Sequence, residues 1–184
     1  MKTRFAEKNR LKGRGRALQP SLKSGEGVKM EKAVTINRSP DELYSFWRQL
    51  ENLPRFMQHI ESVTQSGAGL SHWIVKTSHG KVLEWDARII EDKPGQMISW
   101  QSLEGADVDN AGSVWFTPAS GGRGTVVKVS MKYSPPGGKL GAIMAKLFGD
   151  SADKQMAEDL FRLKSLLETG ETPTTEGQPH GSGK

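Results

Sequence analysis

Residues 81–92 read KVLEWDARIIED. Leu83, Trp85, Ala87 and Ile89 alternate with Glu84, Asp86 and Arg88. That is the period of a β-strand with one face in a core and the other toward water. The same period extends outward on both sides. Ile60–Ser66, His72–Ser78, Met97–Leu103, Ala111–Pro118 and Gly124–Ser134 read as five further strands. Between them lie Gly67-Ala68-Gly69, His79-Gly80, Lys93-Pro94-Gly95, Glu104–Asn110 and Ser120-Gly121-Gly122, which carry turn chemistry. Links this short predict an antiparallel hairpin meander.

Upstream, Val28–Asn37 alternates as a seventh strand. Ser39-Pro40-Asp41-Glu42 is a helix start, with Ser39 as N-cap, Pro40 in the first turn and Glu42 placed to complete a capping box. Leu43, Phe46, Trp47 and Leu50 follow at helical spacing, and Pro54 is expected to end this helix. Leu53, Phe56 and Met57 suggest a second short turn. Downstream, Pro135–Gly138 stops the last strand, and Lys139–Glu168 reads as a helix. Its apolar stripe is Leu140, Met144, Leu147, Met156, Leu160, Leu163 and Leu167, with a bend or break at Gly149-Asp150-Ser151 and a closing glycine at 170. The class is α+β: a curved antiparallel sheet of seven strands, two short helices after the first strand, and a long C-terminal helix over the sheet. Such a sheet does not close fully on one helix, so a cavity between them is expected.

The 184 residues are 35% hydrophobic and 26% charged, with a formal net charge of +5. That charge is unevenly placed. Residues 1–32 hold ten Lys/Arg against three Glu, a net of +7, and the remainder holds sixteen basic and eighteen acidic residues, a net of −2. We read residues 1–27 as a basic flexible leader, 28–170 as the folded domain and 171–184 as a flexible tail. The leader, with basic residues 2–32, admits contact with an anionic membrane surface or unspecific attraction to nucleic acid. It lacks interleaved aromatic residues for stacking bases, so no specific nucleic-acid partner is expected. Cysteine is absent, which excludes thiolate catalysis and cysteine-ligated metals. No apolar run reaches the roughly 18 residues of a membrane span, and none follows the basic N-terminus as a signal peptide would require. The expected location is the cytoplasm, peripheral to the inner membrane if the leader engages lipid.

Several segments together resemble a known family. They are Val34–Pro40, Leu43–Arg48, Glu51–Met57, His59–Val63, Glu84–Ala87, Ile98–Trp100, Asn110–Val114 and Gly122–Thr125. Over about residues 28–170 the chain resembles the START-like helix-grip superfamily, in its bacterial polyketide cyclase/dehydrase branch, also called SRPBCC. The resemblance implies the helix-grip fold and a hydrophobic ligand such as a lipid, quinone or polyketide-like compound. It also implies a second reading, a cyclase or dehydratase acting on an aromatic or polyketide-like substrate.

Strand parity selects the inward side chains. The expected cavity wall is Phe56, Trp73, Val75, Trp85, Ala87, Trp100, Phe116, Val129, Met131, Tyr133, Met144 and Phe148, with Trp115 on the outer face. The indoles offer flat surfaces, and Met131, Met144 and Met156 an adaptable lining. No Ser-His-Asp set is recognisable. His59 and Tyr133 are the least unsuitable acid/base residues, and binding is favoured over catalysis. His72 is expected outside and His79 in a turn, while His180 falls in the tail. Parity turns Glu84 and Asp86 outward, opposite Arg88, as solvated carboxylates. Asp107-Val108-Asp109-Asn110 reads as a turn, not a calcium loop. Neither metal nor cofactor is expected. Arg48, Arg55 and Arg123 read as surface charges, with Arg55 the one placed to meet an anionic head group.

Overall fold

The computed structural model describes residues 28–77, 80–134 and 152–172. The leader, His79, the segment carrying Met144 and Phe148, and the tail from residue 173 with His180 lie outside the described residues.

The described elements, in chain order, begin with β1 (Val28–Ile36), α1 (Pro40–Arg48) and a 3₁₀ segment (Leu50–Arg55). The strands β2 (Ile60–Gln65), β3 (Leu70–Lys76), β4 (Val82–Lys93), β5 (Met97–Ser102), β6 (Asp109–Pro118) and β7 (Thr125–Ser134) follow, then α2 (Ala152–Thr169). The strands form one curved antiparallel sheet in the order β1-β7-β6-β5-β4-β3-β2. β1 returns to pair with β7, placing Val28 opposite Tyr133 and Ile36 opposite Thr125. The two edge strands are therefore β1 and β2, and the chain crosses between them through α1 and the 3₁₀ segment.

Local chemistry accounts for that crossing. Ser39 Oγ accepts the N–H of Glu42, and the Glu42 carboxylate accepts the N–H of Ser39 at 2.9 Å, closing the capping box. Leu43 and Trp47 form the buried face of α1. The helix ends at Arg48, earlier than Pro54 alone predicts. The Asn52 side chain donates to the carbonyl of Phe46 at 2.9 Å, taking the acceptor that the next turn would use. The chain continues as a 3₁₀ segment that contains Pro54, and its following N–H of Phe56 bonds to Leu53.

The inner face of the sheet and the apolar sides of α1 and α2 share one core. Ile36, Leu43, Trp47, Leu53, Phe56, Ile98, Val114, Val127 and Leu163 are all buried there. Near β1, Met156, Leu160 and Leu163 bury one side of α2. Its C-terminal end is fastened by two bonds: Lys164 Nζ donates to the carbonyl of Thr35 at 2.8 Å, and Glu168 accepts the N–H of Asn37 at 2.7 Å. One glycine has a packing role. Gly112 lies opposite Trp100 in the β5–β6 ladder, and the indole occupies the space a side chain there would need. The expected turn at 107–110 is partly strand: Asp109 and Asn110 open β6, and Asn110 is wholly buried, bonded through Ser102 Oγ and the carbonyl of Val108.

Candidate functional site

Trp73 in β3 stands directly opposite Trp85 in β4. Their rings are stacked, with centroids 6.0 Å apart and planes 15° from parallel; Trp100 in β5 lies 6.3 Å from Trp73 at 18°. Three nearly parallel indoles thus form one wall. Trp73 is oriented by its own N–H, which donates to the buried Ser71 Oγ at 2.9 Å.

These rings border a cavity of about 70 Å³ between sheet and α2. At ~10–15 Å³ for one water, this is room for a few waters or a small ring, so a larger occupant must spread the lining. Four methionines border it: Met30, Met57, Met131 and Met156. An unbranched thioether changes shape at little cost, so this lining can yield.

Of the cavity wall expected from parity, Trp73, Val75, Trp85, Trp100, Met131 and Tyr133 border the space. Phe56, Ala87, Phe116 and Val129 do not. They are core residues. Phe56 and Phe116 pack on Trp47, at ring-centroid distances of 5.4 and 6.3 Å. Parity fixes the face of a strand residue but not its position along the strand, and α1 covers this end of the sheet. Met144 and Phe148 are outside the described residues. Trp47, Leu53, Met57 and Ile60, from the crossing between the edge strands, also line the space, as do Val108 and the helix residues Gln155, Met156 and Asp159.

The wall is apolar except at one corner. His59, Tyr133, Gln155 and Asp159 supply polar atoms there. Asp159 is 8% exposed. Its Oδ1 accepts both Gln155 Nε2 at 3.1 Å and Arg162, and Arg162 Nε also donates to the carbonyl of Phe56 at 3.0 Å. This chain of bonds ties α2 to the 3₁₀ segment. Burial pushes the Asp159 carboxyl above its ordinary pKa, against the pull of Arg162, Gln155 and His59. Burial, and then the Asp159 charge, push the Tyr133 hydroxyl upward; that hydroxyl donates to the Met131 sulfur at 3.2 Å. The sequence holds a signal for Asp159. It lies three residues after Met156 and four before Leu163, on the apolar side of α2, where a carboxylate is out of place.

The other sequence candidates fall elsewhere. Glu84 and Asp86 face outward as parity requires, but Glu84 is not solvated: its side chain is 15% exposed. His72 lies between the two carboxylates, 2.7 Å from Asp86 and 3.7 Å from Glu84. Cross-strand pairing explains this, because His72 is directly opposite Asp86. Arg48 bonds to Asp92 at 2.7 Å and to Gln65 at 2.8 Å. Arg55 lies over the Phe46 ring at 5.4 Å and does not line the cavity. Arg123 binds the Ser120 carbonyl and braces its own turn. Among the described residues no cluster of His, Asp and Glu suits a metal ion, and no helix is long and apolar enough to cross a membrane.

The profile of the family described as polyketide cyclase/dehydrase and lipid transport matches residues 36–161. A Deinococcus radiodurans protein of known structure is 35% identical, with a TM-score of 0.64 over 78% of this chain and 99% of that one. An uncharacterised 17.2 kDa protein of Streptomyces lincolnensis is 29% identical over 76% of this chain and 89% of its own length. The fold also matches a di-domain ARO/CYC protein of the steffimycin biosynthetic pathway. That match has a TM-score of 0.57 at 14% identity, and covers 75% of this chain and 50% of that one. The chain belongs to the polyketide cyclase/dehydrase and lipid transport family, and its fold is the helix grip.

Proposed function

We propose that this member of the family binds a hydrophobic small molecule, such as a lipid, quinone or polyketide-like compound, in the cavity between the sheet and α2. The observation that carries the reading is the wall of three near-parallel indoles facing an apolar, methionine-bordered space. Apolar burial at about 25 cal/mol per Å² supplies affinity, and the polar corner orients the occupant. The use is transport or sequestration, in the cytoplasm, with basic residues 2–32 contacting anionic membrane surfaces. The test is native purification followed by solvent extraction and mass spectrometry. An apolar species at stoichiometric amount supports the reading. Protein that carries none, and takes up none from a lipid and quinone mixture, contradicts it.

A second reading, a cyclase or dehydratase, draws on the same corner. His59, Tyr133 and Asp159 stand together, and a dehydration needs one group to take an α-proton and another to protonate the departing hydroxyl. Substituting both His59→Ala and Tyr133→Phe is expected to abolish turnover of a β-hydroxyketone chain. Unchanged turnover removes those residues from the reaction.

A further inference from the structure

The outer face of the sheet, opposite the cavity, carries a groove of its own. Lys29 in β1 and Lys132 in β7 stand directly opposite each other, and Ala111 follows in β6. In the next row Ser130, Ser113 and Ser99 lie side by side across β7, β6 and β5. Long side chains beside short ones leave a shallow groove of about 190 Å³, bordered by the two lysines, the three serines and Ile90. Ser99 Oγ and Ser113 Oγ are 2.8 Å apart. One hydroxyl hydrogen closes that bond and the other is left to donate, while the Ser130 hydroxyl has no partner among the described residues.

The cations of this face are only partly matched. Glu31 holds Lys29 at 3.2 Å and Lys128 at 2.8 Å, and Lys132 has no ion-pair partner among the described residues. Three lysines against one carboxylate leave the outer side of β1 and β7 a net of +2; Asp109, opposite Ser134, stands one row beyond Lys132. The chain enters this face at Val28, beside Lys29. Residues 1–27 before it hold eight Lys/Arg against Glu7 and Glu26, a net of +6.

Apolar side chains stand among these charges. Ile90 is the extra residue of a bulge in β4, where the register with β5 shifts between Ile89 and Glu91, and it projects from the face 58% exposed. Trp115, half-buried, lies opposite Lys128, whose Nζ is over its ring at 5.5 Å. Cations, hydroxyl donors, an indole and an exposed aliphatic group on one surface match the boundary layer of an anionic bilayer. A nucleic-acid backbone would leave Ile90 without an apolar contact.

Resting on the membrane contact read above for basic residues 2–32, we propose that the domain docks on anionic phospholipid with this outer face. The leader supplies most of the attraction. Lys29, Lys132 and the serine hydroxyls receive a headgroup phosphate, and Ile90 and Trp115 enter the interface. The inner face, with its cavity, is then turned away from the bilayer.

The test is cosedimentation of the full chain with phosphatidylcholine vesicles, with and without phosphatidylglycerol, at low salt. Each basic residue near an anionic surface is worth about fivefold in binding, so Lys29→Gln with Lys132→Gln is expected to weaken association with the anionic vesicles by roughly twentyfold. Lys81→Gln with Lys154→Gln removes the same charge elsewhere, just before β4 and on α2, and is expected to weaken it by less than about threefold. Ile90→Ser is expected to weaken it by about fivefold. Brominated lipid should quench the tryptophan fluorescence of bound protein, and Trp115→Phe should remove that quenching, because the other four indoles are buried. Equal losses from the two lysine pairs, or quenching that persists in Trp115→Phe, overturn docking by this face and leave the leader's membrane contact standing. No association of the unaltered protein with anionic vesicles overturns both, and an RNA oligonucleotide held through Lys29 and Lys132 in their place would give the face to nucleic acid.

Discussion

Alanine at Gly112 separates the role of the cavity from the stability of the fold. A Cβ at this position would stand 2.2 Å from Trp100 Cζ2 and 2.6 Å from Cε2. Gly112 does not have a left-handed backbone, so the cost of Gly112→Ala is steric alone. Carbon contacts relax at about 3.5 Å, which asks the indole to retreat by roughly 1.3 Å. In a sealed core such overpacking costs about 1–3 kcal/mol. Trp100 borders open space, so the ring has somewhere to go and the low end, about 1 kcal/mol, is expected. For a domain of this size that is a fall of roughly 4 °C in Tm. The displaced ring then occupies part of a cavity of only about 70 Å³, and affinity for 2-naphthol is expected to fall by about tenfold or more. Thermal unfolding by circular dichroism and a fluorescence titration measure the two effects. Unchanged Tm and affinity would show that the indole does not rest on Gly112. A large fall in Tm with affinity intact would show that the ring moves away from the cavity.

Three other outcomes are open to test. Ser39→Ala removes the hydroxyl half of the capping box and is expected to cost about 1 kcal/mol in urea denaturation; an unchanged midpoint would mean that the cap does not hold α1. Lowering the pH is expected to destabilise the fold. Hydrogen bonds hold Glu168 (from Lys164 and the Asn37 N–H) and Glu42 (from Ser39) below the ordinary carboxylate range. Asp92 is also lowered: burial raises it, but Tyr44 and Arg48 outweigh that. Carboxyls lowered by folding add stability above their unfolded values, about 4, and lose it as the pH falls through their folded ones. Asp159 is raised and has the opposite sign: its contribution is full below about pH 4 and is lost as the pH rises through its folded value. Tm should therefore fall as the pH drops below about 4, where the Asp159 contribution is already constant; Asp159 offsets the other carboxyls only above that value, and a Tm rising steadily toward pH 2 would contradict these assignments. Deleting residues 1–27 is proposed to leave Tm and 2-naphthol affinity nearly unchanged while abolishing salt-sensitive association with anionic liposomes; a truncated protein that unfolds would place the domain boundary further upstream.

The strands were legible because each alternates apolar and polar residues across a sheet with one buried face. In β3, for example, Trp73 and Val75 are buried while His72 and Ile74 are only half-buried. The same parity picks out Trp73, Trp85 and Trp100 as inward residues. It cannot say where α1 and α2 cross the sheet, so it places Phe116 and Val129 beside the cavity when they belong to the core. Met30 in β1 and Ile60 at the start of β2 are strand residues it passed over, and most of the others it missed come from elements without period 2. Trp47 and Asp159 are on helices, and Met57 and Ile60 lie around the crossing between edge strands. The end of α1 was hidden for a related reason: a single Asn52 amide takes a backbone carbonyl, an event that no periodicity records. The partnership of His72 with Glu84 and Asp86 needed the β3–β4 register, which side-chain alternation does not supply.

The five tryptophans allow the central claim to be read in one spectrum. Trp47, Trp73, Trp85 and Trp100 line the cavity, while Trp115 lies outside it with Lys128 over its ring at 5.5 Å. In a ¹H–¹⁵N spectrum of the indole N–H groups, titration with 2-naphthol is predicted to move the four cavity signals together and leave Trp115 in place. Movement confined to Trp115, or no movement at saturating probe, would contradict the claim that this cavity is the binding site.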